Sequence, residues 1–120
     1  HLLTDNNSVG LVAKVNGEIA GFIIGIIYAE RSSLTGHILT IDISPSHRRK
    51  GIAQRLLREI EDIFKEKGVT TLRLEVREDN IAALRLYRKL GYQKIARLKG
   101  YYGNAHGIHL KKDLAQAPQS

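Results

Sequence analysis

The chain has 120 residues, 42% of them hydrophobic, and a formal net charge of +7. That length supports one small globular domain with a single core, and no linker, repeat or low-complexity tract divides residues 1–120; only Gln116 to Ser120 reads as a frayed tail. The absence of cysteine excludes disulfides, cysteine–zinc sites and a cysteine acyl-enzyme.

The chain starts at His1 and holds no Met, so its N-terminus reads as processed, tagged or truncated. It carries no signal-peptide pattern, and a cytoplasmic location is the default expectation. Ser8 to Val15 is apolar and β-rich, Asn16-Gly17 is a strong hairpin signal, and Ile19 to Tyr28 follows as a second strand. The apolar run Ile19 to Ala29 is too short to span a bilayer and is interrupted by Gly21 and Gly25, which favours a core strand. Ser32 to Gly36 is expected to form a looser turn into a third strand, His37 to Ser44, completing an antiparallel meander.

From Arg49 to Lys67, apolar residues fall at Ile52, Ala53, Leu56, Leu57, Ile60, Ile63 and Phe64, the helical period, and Gly68 stops the helix. Thr70 to Arg77 alternates, with Leu72, Leu74 and Val76 on one face and Arg73, Glu75 and Arg77 on the other. Asp79-Asn80 offers an N-cap for a helix over Ile81 to Leu90, which Gly91 ends. Tyr92 to Leu98 and Gly107 to Leu110 are two further strand candidates. The fold class is therefore mixed α/β, with an N-terminal meander and then a βαβ unit that pairs the third and fourth strands in parallel.

The stretch Ile41 to Leu57 carries the most chemical information. It reads as a strand, a Pro-marked break, a basic turn and a helix. The turn sets Arg48, Arg49 and Lys50 beside the free N–H groups of a helix start, where phosphate is readily received. Gly51 lets an anion approach without a Cβ in the way. The pattern is that of a pyrophosphate site, but neither the Walker spacing nor the dinucleotide Gly-x-Gly-x-x-Gly is present.

Of the 19 basic residues, 15 lie between Arg48 and Lys99, so the charge excess surrounds this loop. Nucleic acid would suit such an excess as well as a phosphate-bearing ligand. Nucleic-acid binding, however, calls for aromatics interleaved with the basic residues, and Arg48 to Lys89 offers only Phe64 and Tyr87.

Arg48-Arg49-Lys50-Gly51-Ile52-Ala53 fits the Gln/Arg-x-x-Gly-x-Gly/Ala signature of the GNAT N-acetyltransferases. Further motifs follow in the family's order: Leu74-Glu75-Val76-Arg77, Asn80-Ile81-Ala82-Ala83-Leu84, Leu86-Tyr87, Leu90-Gly91-Tyr92 and Lys99-Gly100-Tyr101-Tyr102. From roughly Val9 to Leu114 the chain resembles this family, and most of all its protein Nα-terminal branch, the ribosomal-protein alanine acetyltransferases and archaeal Ard1-type enzymes.

The resemblance implies the acyl-CoA N-acyltransferase fold, acetyl-coenzyme A as cosubstrate, and direct transfer to an amine, above all a protein N-terminus. The alternatives are a small amine or lysine acceptor, or a coenzyme-binding remnant without activity. Family members carry a strand and two helices ahead of the meander, whereas only Leu2 to Asn7 precede it here. Ard1-like enzymes also have an acidic Gly-Glu-Asp-Ala segment where this chain has Gly103 to His109. The acceptor and the oligomeric state are left open, and no membrane partner is expected.

The resemblance also assigns roles. Glu75, on the polar face of its strand, matches the catalytic Glu and is the first candidate for the base, directly or through a water; pairing with Arg73 or Arg77 is its structural alternative. His37 is the second candidate, in a place where Ard1-like proteins can have His; an imidazole titrates near pH ~6.5. Together the two would fall short of a zinc site. Tyr87 matches the family's acid, able to protonate the leaving thiolate. Asn80 would hydrogen-bond the pantetheine arm. Ile41, Asp42 and Ile43 would offer backbone groups to it, and Arg48 through Gln54 would wrap the pyrophosphate. Arg88 and Lys89 would rim the adenosine phosphates.

Overall fold

The structure is a computed structural model that describes residues 7–114. The expected tail at 116–120 and the segment 2–6 lie outside the described residues. A six-stranded sheet is built from β1 (Ser8–Val15), β2 (Glu18–Glu30), β3 (Ser33–Ile43), β4 (Val69–Arg77), β5 (Gln93–Leu98) and β6 (Gly107–Asp113), in the order β1-β2-β3-β4-β6-β5. Helix α1 (Ile52–Glu66) connects β3 to β4, and α2 (Ile81–Lys89) connects β4 to β5. Among the described residues only β3 and β4 pair in parallel, as the βαβ reading required. No helix among the described residues is long and apolar enough to cross a membrane.

Both helices pack on one face of the sheet, where their buried side chains share a core. Their buried residues join a single core: Leu56, Leu57, Ile60 and Phe64 of α1 with Tyr87 of α2, against Leu72, Leu74 and Val76 of β4 and Ile108 and Leu110 of β6. Phe64 is fully buried and demands room. A Cβ on Gly36 would lie 2.6 Å from its ring, and one on Gly25 would lie 2.8 Å from it. These two glycines, which look like strand breakers in the sequence, let the sheet close over Phe64.

The third strand begins earlier than expected. Instead of a loose turn over Ser32 to Gly36, Arg31 and Ser32 alone connect β2 to β3, with Arg31 at φ 59°. His37 therefore sits inside β3 rather than at its start. The last strand also runs on, through Asp113.

Buried polar contacts tie the layers together. Glu61 of α1 accepts from the Tyr92 hydroxyl at 2.6 Å and from Lys112 Nζ at 2.9 Å. At the end of α2, Tyr92 N donates to Tyr87 O and Gly91 N to Arg88 O, with Gly91 at φ 96°. This Schellman closure turns the chain sharply into β5.

Candidate active site

The site begins where the parallel pair comes apart. The ladder between β3 and β4 runs from Leu34–Val69 to His37–Arg73 and stops there, although β3 continues to Ile43 and β4 to Arg77. Just past this point β3 accommodates one extra residue, Leu39, because Ile38 pairs with Gly25 while Thr40 pairs with Ile24. A bulge bends its strand, and here it falls where β3 leaves β4. Beyond it, Ile41, Asp42 and Ile43 pair with β2 alone, so the edge they turn toward β4 has no strand partner. An extended ligand bearing amides fits such an edge.

The carboxyl end of β3 leads into the basic loop. Pro45–His47 forms a single 3-10 turn, held by contacts from the Ser44 hydroxyl (2.7 Å) and the Ser46 hydroxyl (3.1 Å) to His47 Nδ1. Arg48 Nε donates back to the Ile43 carbonyl at 3.1 Å, bracing the loop against its strand. Arg49 (φ 65°) and Gly51 (φ 79°) are both left-handed. For Arg49 this conformation costs roughly 1–2 kcal/mol, a strain of the kind stored at binding loops.

The first hydrogen bond of α1 runs from Arg55 N to Gly51 O, so the amides of Ile52, Ala53 and Gln54 precede the helical ladder. Gly51 as N-cap makes no side-chain capping bond, and the first turn carries no acidic residue. A Cβ on Gly51 would meet nothing within 4 Å, so the space before these amides is open. The arrangement is an anion cradle of backbone donors with exposed Arg49 and Lys50 at its rim.

At the other end of the parting, His37 Nε2 lies 2.7 Å from Glu75 Oε1. The two side chains are 27% and 18% exposed, half-sheltered on the sheet face away from the helices. Glu75 does not pair with Arg73 or Arg77. Arg73 reaches Glu30 at 3.6 Å, and Arg77 forms a two-point contact with Asp79. An ionised carboxylate only accepts, so the Nε2–H of His37 is the donor.

Tyr87 is 5% exposed and stacks edge-on against Tyr92 at 5.7 Å. Burial, with a smaller contribution from Tyr102, pushes its phenol up to about 12. Its hydroxyl, unlike that of Tyr92, is not held by a carboxylate. Asn80 caps α2, its Oδ1 accepting from Ala83 N at 3.1 Å, which leaves its amide NH₂ free for another partner. Arg88 and Lys89 lie on α2 beyond Asn80. They occupy the last turn of α2, roughly 12 Å along the axis from Asn80 at ~1.5 Å per residue.

One residue was missed by sequence reasoning. His109 of β6 is the register partner of Glu75, and its Nε2 is buried without a hydrogen-bond partner. Burial holds its imidazole below the usual range, Glu75 pulls it back up, and Arg73 and His37 add to the depression. The alternation Ile108-His109-Leu110 within a strand was the available signal. Among the described residues no group of three or more His, Cys, Asp or Glu gathers to hold a metal.

Comparison with known proteins places this geometry. Residues 1–92 match the acetyltransferase (GNAT) family. The chain is 33% identical over 100 residues to the catalytic subunit NAA20 of the N-terminal acetyltransferase B complex of Arabidopsis thaliana, covering 82% of this chain and 58% of that protein. It is 34% identical over 92 residues to the ribosomal protein bS18-alanine N-acetyltransferase of Escherichia coli K12, covering 77% and 60% respectively. The chain thus spans less than two thirds of the length of these relatives. Its structure superposes on the NatC complex bound to Gag peptide and CoA with a TM-score of 0.79 at 26% identity, over 86% of this chain and 66% of that one. A match running through the parted strands, the loop beyond them and the helix after Glu75 leaves one conclusion: the chain belongs to the acetyltransferase (GNAT) family.

Proposed function

We propose that the protein transfers the acetyl group of acetyl-coenzyme A to an amine, and that this amine is the N-terminal α-amine of a protein or peptide. The observation that carries the reading is the 2.7 Å contact of His37 with Glu75 at the point where β3 and β4 part. It supports a base at one end of a slot whose other end is an anion cradle. Ile43 lies six positions beyond His37, roughly 20 Å at ~3.3 Å per residue, a span that suits the pantetheine arm between thioester and pyrophosphate.

Each part has a task. The amides of Ile52, Ala53 and Gln54, with Arg49 and Lys50, bind the pyrophosphate, and Arg48 fixes the loop that presents them. Arg88 and Lys89 stand as further candidates for the adenosine phosphates. The free edge at Ile41, Asp42 and Ile43 and the Asn80 amide bind the pantetheine, and a β3 N–H receives the developing oxyanion.

A peptide α-amine titrates near pH ~8, so a mild base suffices. Glu75, oriented by His37, takes the amine proton directly or through a water. The nitrogen attacks the thioester carbonyl, the C–S bond breaks, and the departing thiolate takes a proton from the Tyr87 hydroxyl. A phenol is protonated at neutral pH and so available to that thiolate, burial only making it a weaker acid.

The names of the relatives support a protein N-terminus as acceptor. The test is a coenzyme-release assay against N-terminal peptides, lysine-containing peptides blocked at the N-terminus, and free amines. Turnover with peptide α-amines is expected. Turnover confined to free amines or lysine overturns the acceptor class, and tight coenzyme binding without any turnover overturns the activity.

A further inference from the structure

Glu75 has two imidazoles beside it. His37 contacts it from β3, while His109 faces it from β6 as its direct register partner, with Cβ atoms in such a pair ~4.5–5.5 Å apart. His109 Nε2 is buried, yet no group among the described residues satisfies it, and a buried ring nitrogen without a partner is uncommon.

The groups facing His109 define its state. They are His37 from β3, Arg73 and Glu75 from β4, and Lys111 two positions on in its own strand, while β5 presents uncharged Ala96. Burial and the two neighbours Arg73 and His37 disfavour a charged ring. A neutral imidazole has one N–H and one lone pair.

We propose that His109 is a positioning residue of the transfer site, its Nε2 lone pair holding the water through which Glu75 takes the amine proton. This rests on the reading of Glu75 as base. The water donates one O–H to His109 Nε2 and the other to Glu75, leaving an oxygen lone pair for the amine. In transfer, the amine N–H proton passes to the water oxygen and the water passes a different proton to Glu75. His109 remains neutral throughout. The role also accounts for a polar residue between Ile108 and Leu110, both of which enter the core.

The experiment compares His109→Leu, His109→Gln and Glu75→Gln in the full chain with one peptide, alongside melting temperature and coenzyme affinity. His109→Leu should lower kcat about tenfold, the worth of one hydrogen bond, with coenzyme affinity unchanged. His109→Gln, whose side-chain oxygen also accepts, should recover most of that loss. Normal turnover in His109→Leu overturns the inference, as does an equal loss in both variants accompanied by lower melting temperatures.

An inactive Glu75→Gln beside an unaffected His109→Leu removes only this inference; an active Glu75→Gln removes the base reading and this one with it. A second readout does not need activity. The imidazole titration of His109, followed by NMR, should move to lower pH in Glu75→Gln because an attracting carboxylate is gone. An unchanged midpoint overturns the coupling.

Discussion

His37 and Glu75 meet across two parallel strands at the register step where those strands cease to pair, with Nε2 2.7 Å from Oε1. One geometric event, the divergence of β3 from β4, therefore opens the slot and assembles the pair at its mouth. The bulge at Leu39 and the end of the ladder at His37–Arg73 lie within two residues of each other. Changes to the bulge should consequently act on chemistry as well as on stability.

Gly51→Val should leave the protein folded and abolish coenzyme binding. The position is left-handed at φ 79°, where a β-branched residue costs about 1–3 kcal/mol of strain. Its surroundings are open, so no core contact is lost. Calorimetric titration with acetyl-coenzyme A checks this; unchanged affinity in a folded variant would disprove the loop assignment.

Tyr87→Phe should lower turnover about 10² to 10⁴-fold while coenzyme affinity changes little, because the ring and its edge contact with Tyr92 remain. Near-normal turnover, under conditions where chemistry limits the rate, would return Tyr87 to a packing role.

Much of this was legible in the sequence, and for identifiable reasons. Strong periodicity set α1 and β4, and the Gly68 and Gly91 stops closed the helices near their observed ends. The start of β3 was hidden because Gly36 reads as a turn residue, when its small size in fact admits Phe64. Glu75 and His37 were each named, but their contact was not readable, since it depends on a register between residues 38 positions apart. His109 was missed for the same reason: only the β4–β6 pairing brings it to Glu75. Arg88 and Lys89 were named from the resemblance and their charge, and they occupy the last turn of α2.

Alkaline pH should destabilise the fold. The phenols of Tyr87 and Tyr92 are both raised by burial, that of Tyr87 to about 12, whereas an unfolded Tyr ionises near pH ~10. Between those values the folded chain holds protons that the unfolded chain releases, so stability falls as pH rises. Denaturant midpoints from pH 9 to 12 should decline, and Tyr87→Phe should show a shallower decline than the parent.

Glu61→Ala should lower stability by about 1–3 kcal/mol, since it leaves the buried Tyr92 hydroxyl without its acceptor. Because Tyr92 packs against Tyr87, turnover should fall as well. Urea unfolding with a parallel rate measurement checks both, and an unaltered midpoint would show that the Glu61 contacts add nothing to stability.

The most direct test of the central claim is the pH–rate profile of Glu75→Gln and His37→Ala with the same peptide at saturating acetyl-coenzyme A. With Glu75 as the base and His37 as its orienting partner, Glu75→Gln should lose most turnover and flatten the acidic limb. His37→Ala should retain more activity and keep that limb. A silent Glu75→Gln beside an inactive His37→Ala would contradict the account and make the imidazole the base.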